Sequence, residues 1–258
     1  MTEVPARRSP GAPCWVSLLT RSLPVAQEFY SGLFGWEFQH GPMHFGPYVR
    51  AVLDGELVAG IGENPGGRAL PVSWTTYLST LDADHTAELV RDCGGTVAVG
   101  PLDADDEAGR MAIAMDPEGA VFGVWQPLTH LGVGVCGRPG TLGWNELVTR
   151  ETTGLGKFYA AVFGFEPQRA DGVDVDHLTL RLQGVPVAGV RGLGRALPRD
   201  LGAHWMTYFE VDDPDAAARR AAELGGRVLS GPEESVRGRT AVVRDPEGAV
   251  FALLRTRR

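Results

Sequence analysis

Cysteine is scarce in this chain: Cys14, Cys93 and Cys136 are the only three, they recur at no common spacing, and they form no C-x-x-C pair. An odd, unpatterned set excludes a disulfide framework and a cysteine zinc site, leaving thiols that behave as small hydrophobes. No apolar run approaches the ~20 residues that a bilayer-spanning helix needs. The chain has no G-x-x-x-x-G-K-[ST] loop, no G-x-S-x-G elbow and no G-x-G-x-x-G between strand and helix patterns, which removes the usual nucleotide cofactors and serine hydrolase chemistry. Basic charge is short as well, with 24 Lys and Arg against 32 Asp and Glu and a net charge of −8. Nucleic-acid binding requires concentrated basic residues, so a neutral or cationic small molecule is the easier partner. Residues 1–12, MTEVPARRSPGA, place no apolar core behind their arginines. They read as a loose arm rather than a targeting signal, and the protein as cytoplasmic.

What the chain does have, it has twice. WVSLLTRSLPVAQEFYSGLFGW, from Trp15, returns as WNELVTRETTGLGKFYAAVFGF, from Trp144, and DPEGAVFGV, from Asp116, returns as DPEGAVFAL, from Asp245. Phe29 and Phe158 lie 129 residues apart, and so do Asp116 and Asp245. At 258 residues and 43% hydrophobic, the chain has the size of two ordinary globular domains. A repeat this long is a domain rather than a solenoid unit, so each copy is expected to close its own core. The boundaries fall at 1–12 (arm), 13–127 (first domain), 128–140 (connector) and 141–257 (second domain).

Within a copy, WVSLLT alternates like a strand, and PVAQEFYSGLF then switches to helical spacing. Val25, Phe29 and Leu33, with Ala26, Tyr30 and Phe34, form one apolar stripe, and Gly35 is placed as a left-handed C-cap. Short strands joined by Asp54-Gly55 and Gln183-Gly184 hairpin turns follow. A second strand and helix come next, with Asp84 or Asp215 near the helix start and Gly-Gly after its end. Each copy closes on two more strands linked by the DPEG turn. The predicted order of one copy is β-α-β-β-β, β-α-β-β-β.

That order, with Phe-Tyr in the first helix and a D-P-x-G turn before the last strand, resembles the vicinal oxygen chelate superfamily. The superfamily includes glyoxalase I, extradiol dioxygenases, fosfomycin-modifying enzymes and bleomycin-resistance proteins. GTLGWNELVT and the paired GR-x-A-x-x-x-DPxG segments look like a two-domain actinobacterial glyoxalase-like group, similar to a mycobacterial culture-filtrate antigen. The resemblance implies an α+β fold of two tandem domains, each a pair of βαβββ units curled into an eight-stranded cup with helices outside. It also implies a divalent metal on the cup floor, held by His and carboxylates of the first and last strands of each unit. The matching positions here are Trp15, Ala59, Thr75 and Gly123 in the first copy, and Trp144, Ala188, Met206 and Ala252 in the second. None of these side chains is an imidazole or a carboxylate, so no metal and no cofactor is expected.

Residues two apart on a strand share a face, which sets the candidate ligand-lining residues. They are Trp15, Ser17, Thr75, Tyr77, Gly123 and Trp125 in the first cup, and Trp144, Glu146, Met206, Tyr208, Ala252 and Leu254 in the second. Either the tryptophans plug the cups, or Gly123 and Ala252 leave room for an organic ligand. Glu146 is the catalytic candidate, because burial on an apolar wall raises a carboxyl pKa toward the range of a general base. Its alternative is an ion pair with an arginine such as Arg239. Asn145 is expected to face the helix, and the histidines to be solvated or locally bonded. Arg110 and Arg239 brace a carboxylate or turn carbonyl, or hold an anionic ligand group. The functional expectation is a metal-independent protein that sequesters or senses a small hydrophobic or aromatic metabolite. One alternative is a glyoxalase-like lyase or isomerase of natural-product metabolism with Glu146 as base, and another is an interaction protein with filled cups. Fusion of two domains meets the pairing need of single-domain relatives, so a monomer with no membrane partner is expected.

Overall fold

Apolar alternation makes the Trp15 segment a central strand, and the rest of each copy is built about it. A computed structural model describes residues 8–41, 46–64, 70–104, 107–169, 176–198 and 201–257. The first copy runs β1 (Pro13–Thr20), α1 (Leu23–Phe34), β2 (Glu37–His40), β3 (Tyr48–Leu53) and β4 (Glu56–Glu63). Then follow β5 (Ser73–Ser79), α2 (Ala83–Asp92), β6 (Thr96–Asp103), β7 (Gly109–Met115) and β8 (Val121–Pro127). The second copy repeats this as β9 (Leu142–Thr149), α3 (Thr153–Phe163), β10 (Glu166–Arg169), β11 (His177–Leu182) and β12 (Val185–Gly192). It ends with β13 (His204–Glu210), α4 (Pro214–Glu223), β14 (Arg227–Ser235), β15 (Gly238–Arg244) and β16 (Val250–Thr256).

Each copy forms one eight-stranded sheet, ordered β2-β3-β4-β1-β5-β8-β7-β6 and β10-β11-β12-β9-β13-β16-β15-β14. The two βαβββ units of a copy meet where β1 pairs antiparallel with β5, and β9 with β13. Local chemistry sets the turns. Gly35 and Gly164 end α1 and α3 at φ of 74° and 72°, and Asp54-Gly55 and Gln183-Gly184 hold positive φ at both residues, as a two-residue hairpin requires. The Asp82 and Asp213 side chains cap α2 and α4 by accepting backbone N–H bonds. On α1 the buried stripe is Leu23, Ala26, Phe29, Tyr30 and Phe34, whereas Val25, which the spacing had placed on it, is 39% exposed.

The copies do not close separate cores. The α1 stripe packs with Val16, Leu18 and Trp74 of its own sheet, and with Phe209, Ala221, Val243, Phe251 and Leu253 of the second copy. Reciprocally, Phe158, Tyr159 and Phe163 of α3 pack with Leu78, Val90, Phe122 and Val124 of the first copy. The first unit of each copy thus shares its core with the second unit of the other. A helix stripe as wide as these cannot be covered by one side of a single sheet, so the other copy's sheet covers the rest.

The recurrent motifs meet at this shared core. Tyr30 donates to Asp245 Oδ2 at 3.1 Å, and Trp74 Nε1 donates to the Tyr30 oxygen at 3.0 Å. The pseudo-symmetric counterparts are Tyr159 to Asp116 Oδ2 at 3.0 Å and Trp205 Nε1 to Tyr159 at 2.9 Å. The Asp of each DPEG turn also accepts backbone N–H bonds inside its own turn. It therefore ties a turn of one copy to a helix of the other. Burial raises the Asp116 carboxyl to about 6 despite these donors. One contact breaks the symmetry. Thr76 donates to the Asn145 side chain at 2.8 Å, not to a helix backbone, while the matching Thr207 Oγ1 has no partner among the described residues because its counterpart position holds Val16.

Residues 1–7 of the arm lie outside the described residues, but Gly11 and Ala12 are not loose, since both exchange backbone hydrogen bonds with Ser79. No helix among the described residues is long and apolar enough to cross a membrane. With two cores that each draw on both copies, urea unfolding is expected to be a single transition by circular dichroism and by fluorescence; two separated transitions would contradict the shared cores. Tyr159→Phe leaves Asp116 and Trp205 short of a partner and is expected to cost about 1–3 kcal/mol. Because Asp116 binds its proton more tightly folded than unfolded, its contribution falls as pH rises from about 4, its unfolded value, to about 6. The stability of the wild type relative to Asp116→Asn is expected to fall over that interval.

Candidate functional site

Strand pairing gathers the twelve lining residues in two groups. In the first cup Trp15 lies opposite Tyr77, Ser17 opposite Thr75, and Tyr77 beside Gly123. In the second, Trp144 lies opposite Tyr208, Glu146 opposite Met206, and Tyr208 beside Ala252. Trp125 joins the first cluster with Trp15, and Leu254 the second with Met206, Tyr208 and Ala252. Ala59 and Ala188 face the helices, fully buried in the two shared cores. The cup residues there are their neighbours Gly60 and Gly189, beside Ser17 and Glu146.

The first cup is filled from within. The Tyr77 ring lies directly over Gly123, taking the space that glycine opens. Tyr48 lies over Gly60 and Gly62 in the same way, and its hydroxyl accepts from Trp15 Nε1 at 3.1 Å. The connector supplies the last piece. His130 is not solvated: its ring meets Trp15 edge-on at 4.5 Å and Trp125 at 5.5 Å, while its carbonyl accepts from Trp125 Nε1 at 2.9 Å. Burial in this aromatic setting lowers its pKa to about 4, so the ring is neutral at pH 7. Trp15 and Trp125 are 5% and 7% exposed. Cys14, beneath them, is an inert thiol that burial pushes up to about 12.

The second cup keeps the frame and changes the chemistry. Glu146 stands where the first cup has Ser17, His177 where it has Tyr48, Arg191 where it has Gly62, and Arg237 where it has Ala108. Glu146 is 5% exposed. Its Oε1 lies 3.1 Å from His177 Nε2, and its Oε2 lies 3.1 Å from Arg191 Nε and accepts from the Tyr208 hydroxyl at 2.9 Å. Burial pushes its carboxyl up, but the His177 bond, the Arg191 charge and the Tyr208 hydroxyl outweigh burial and hold it below its ordinary value. The raised pKa expected from an apolar wall is therefore overturned, because the wall is not apolar at that point. Glu146 is a carboxylate with both oxygens engaged. Arg237, on the turn between β14 and β15, lays its guanidinium 3.2 Å above the Trp144 ring centroid. Its loss of water there lowers its pKa to about 10.

The sequence reading thus located Glu146 but named the wrong arginine. Arg239 grips Asp215 at 2.5 and 2.8 Å on the surface, as Arg110 grips Asp84, so both brace the first turn of a helix. His177, Arg191 and Arg237 were missed, although subtracting the repeat offset from each cup position exposes all three as charged or imidazole residues that replace Tyr, Gly and Ala. His40 and His85 are exposed, and His44 lies outside the described residues.

Because the Glu146 pKa is lower folded than unfolded, its ionised form adds stability that is complete above the unfolded range and lost as pH falls through the folded value. Glu146→Gln is expected to cost about 1–3 kcal/mol at pH 7, a difference that urea titrations should find constant down to about pH 5 and narrowing below it.

Known proteins bear out this architecture. A family model described as a glyoxalase-like domain matches residues 146–254. The anthracycline biosynthesis protein DauV of Streptomyces sp. strain C5 is 37% identical, over 97% of this chain and 95% of its own length. CFP32 of Mycobacterium bovis, a glyoxylase by name, is 38% identical over 95% of each chain. Among solved structures, the Mn(II)-bound glyoxalase of Novosphingobium aromaticivorans superposes with a TM-score of 0.65 at 17% identity, over 95% of this chain and 82% of that one. The 2,3-dioxygenase LapB of Pseudomonas sp. KL28 gives 0.64 at 18%, over 95% and 93%. The metal that such a fold implies does not fit these cups: the floor positions are Trp15, Gly60, Thr75 and Gly123, then Trp144, Gly189, Met206 and Ala252. Among the described residues no three His, Cys, Asp or Glu converge in a way that could hold an ion. In sequence and in fold, this chain belongs to the vicinal oxygen chelate superfamily, within its two-domain glyoxalase-like group.

Proposed function

We propose that this protein is a metal-independent binder of a small hydrophobic or aromatic metabolite, that it works as a cytoplasmic monomer, and that the second cup is its site. The observation that carries this reading is the unequal fate of the two cups. The first is occupied by its own Tyr48, Tyr77 and the connector's His130, whereas the second keeps Tyr208 as the Tyr77 counterpart but has His177 in place of Tyr48 and, among the described residues, no histidine wedged between tryptophans. Its walls, Trp144, Met206, Tyr208, Leu254 and Val148, are apolar and aromatic around a few directed polar groups, the usual make-up of an organic-ligand site. The name of DauV, which ties that relative to anthracycline biosynthesis, supports an aromatic ligand.

Binding is better supported than proton transfer. A general base is best served by a pKa near the working pH, and His177, Arg191 and Tyr208 face both Glu146 oxygens and lower its pKa away from that range. Glu146 instead anchors the polar groups about it.

A panel of aromatic metabolites titrated into the protein is expected to contain at least one that quenches tryptophan emission, with the response lost in Trp144→Phe. A response lost in Trp15→Phe instead would move the site to the first cup, and silence across a broad panel would refute a binding role. Protein purified without added metal salts is expected to contain manganese, iron, nickel and zinc far below one equivalent per chain by elemental analysis.

A further inference from the structure

The second cup carries more positive than negative charge, and its polar groups are incompletely matched. Glu146 neutralises one cation at most, and Arg191 stands nearest to it. Arg237 makes no ion pair among the described residues, and its buried Nε has no hydrogen-bond partner there. The Trp144 indole N–H, beneath that guanidinium, is also buried and unpartnered, as is Nδ1 of His177, whose side chain is 5% exposed. An unmatched buried donor is costly, and two of them, Arg237 Nε and Trp144 Nε1, lie together where the guanidinium covers the indole, which points to a missing acceptor there.

The first cup shows what such an acceptor looks like. There the same indole N–H, on Trp15, donates to the phenolic oxygen of Tyr48, whose ring lies over Gly60. In the second cup His177 replaces that tyrosine, and the groups nearest to where a Cβ on Gly189 would stand are Trp144 Nε1 and the Glu146 side chain, at 3.2 Å or more, where a tyrosine hydroxyl crowds Gly60. A phenol supplied by the protein in one cup is withheld in the other, and a guanidinium is added above the vacated indole.

We propose that the second cup binds its ligand through an anionic oxygen on a planar aromatic group, a carboxylate or an acidic phenol or enol, held between Arg237 and the Trp144 N–H. The inference rests on the small-molecule reading above and names its chemical class. It departs from the neutral or cationic ligand that the net charge favours, because the charge of a whole surface does not fix the charge inside one cup. Stacking puts the guanidinium and the indole N–H within reach of one oxygen, and a charge-assisted pair at a desolvated site is stronger than a neutral bond. Apolar walls then receive the ring.

Naphthoate and naphthamide share size and planarity and differ in one negative charge, so the pair tests the assignment. Calorimetric titration of the full chain is expected to give at least about tenfold tighter binding of naphthoate. The preference is expected to vanish in Arg237→Gln and to shrink in Trp144→Phe, while Arg110→Gln, the same charge change on the surface, leaves it intact. Melting temperatures identify any variant that fails to fold, and in that event Arg237→Lys, which keeps the charge but not the planar fork, is expected to weaken naphthoate selectively. Equal or tighter binding of naphthamide overturns the anionic assignment and leaves the small-molecule reading standing. A naphthoate preference that survives both Arg237→Gln and Trp144→Phe also overturns it, by placing the charge elsewhere. Absence of heat from both probes overturns it too, and the small-molecule reading falls with it only if the aromatic panel is silent as well.

Discussion

The exchange of helix faces between the two copies is the constraint on which the rest of the molecule depends. Each first helix presents an aromatic stripe that its own sheet only half covers, and the opposite copy's last strands complete the burial. Tyr30 with Asp245 and Tyr159 with Asp116 fix the register of that exchange, because a buried carboxylate and a buried hydroxyl each need a partner at one place. With the convex faces committed to each other, the concave faces are left free to diverge, since a change there does not disturb the shared core.

Divergence has gone in opposite directions. The first cup has turned into packing, with glycines that admit tyrosine rings and a histidine held neutral by burial. The second has charged side chains at three positions, Glu146, Arg191 and Arg237, and an imidazole at a fourth, His177, where the first has Ser17, Gly62, Ala108 and Tyr48. A buried ion pair adds little net stability beside a well-packed apolar core. Retaining one in a cup whose twin is packed with rings is reasonable where the charge serves something other than folding.

The sequence disclosed a good deal, and the limits were physical. Strand and helix order, the left-handed glycines and the hairpin turns were legible because each follows from local backbone preference read twice. The inward faces of β1, β5, β9 and β13 were legible because a strand alternates. What it hid were contacts made across the duplication. Nothing local to FYSGLF says that the stripe is shared, nor that the Asp of a tight turn also accepts from a tyrosine more than two hundred residues away. The fourth cup position was read one residue off, onto Ala59 and Ala188, because a bulge between β3 and β4, and between β11 and β12, shifts the register there. The Glu146 partners His177 on β11 and Arg191 on β12, and the Arg237 guanidinium over Trp144, came from strands and a turn that the alternation argument did not follow.

His130 gives the connector a second duty. A peptide that merely joins two domains tolerates changes in length, because loop closure depends weakly on it. This one threads an imidazole between two indoles and pins Val133 to Cys14, so it is at once tether and stopper. Lengthening or shortening it would unseat the stopper before it separated the copies, and vacancy in the first bowl is therefore governed by the tether rather than by the curved sheet around it.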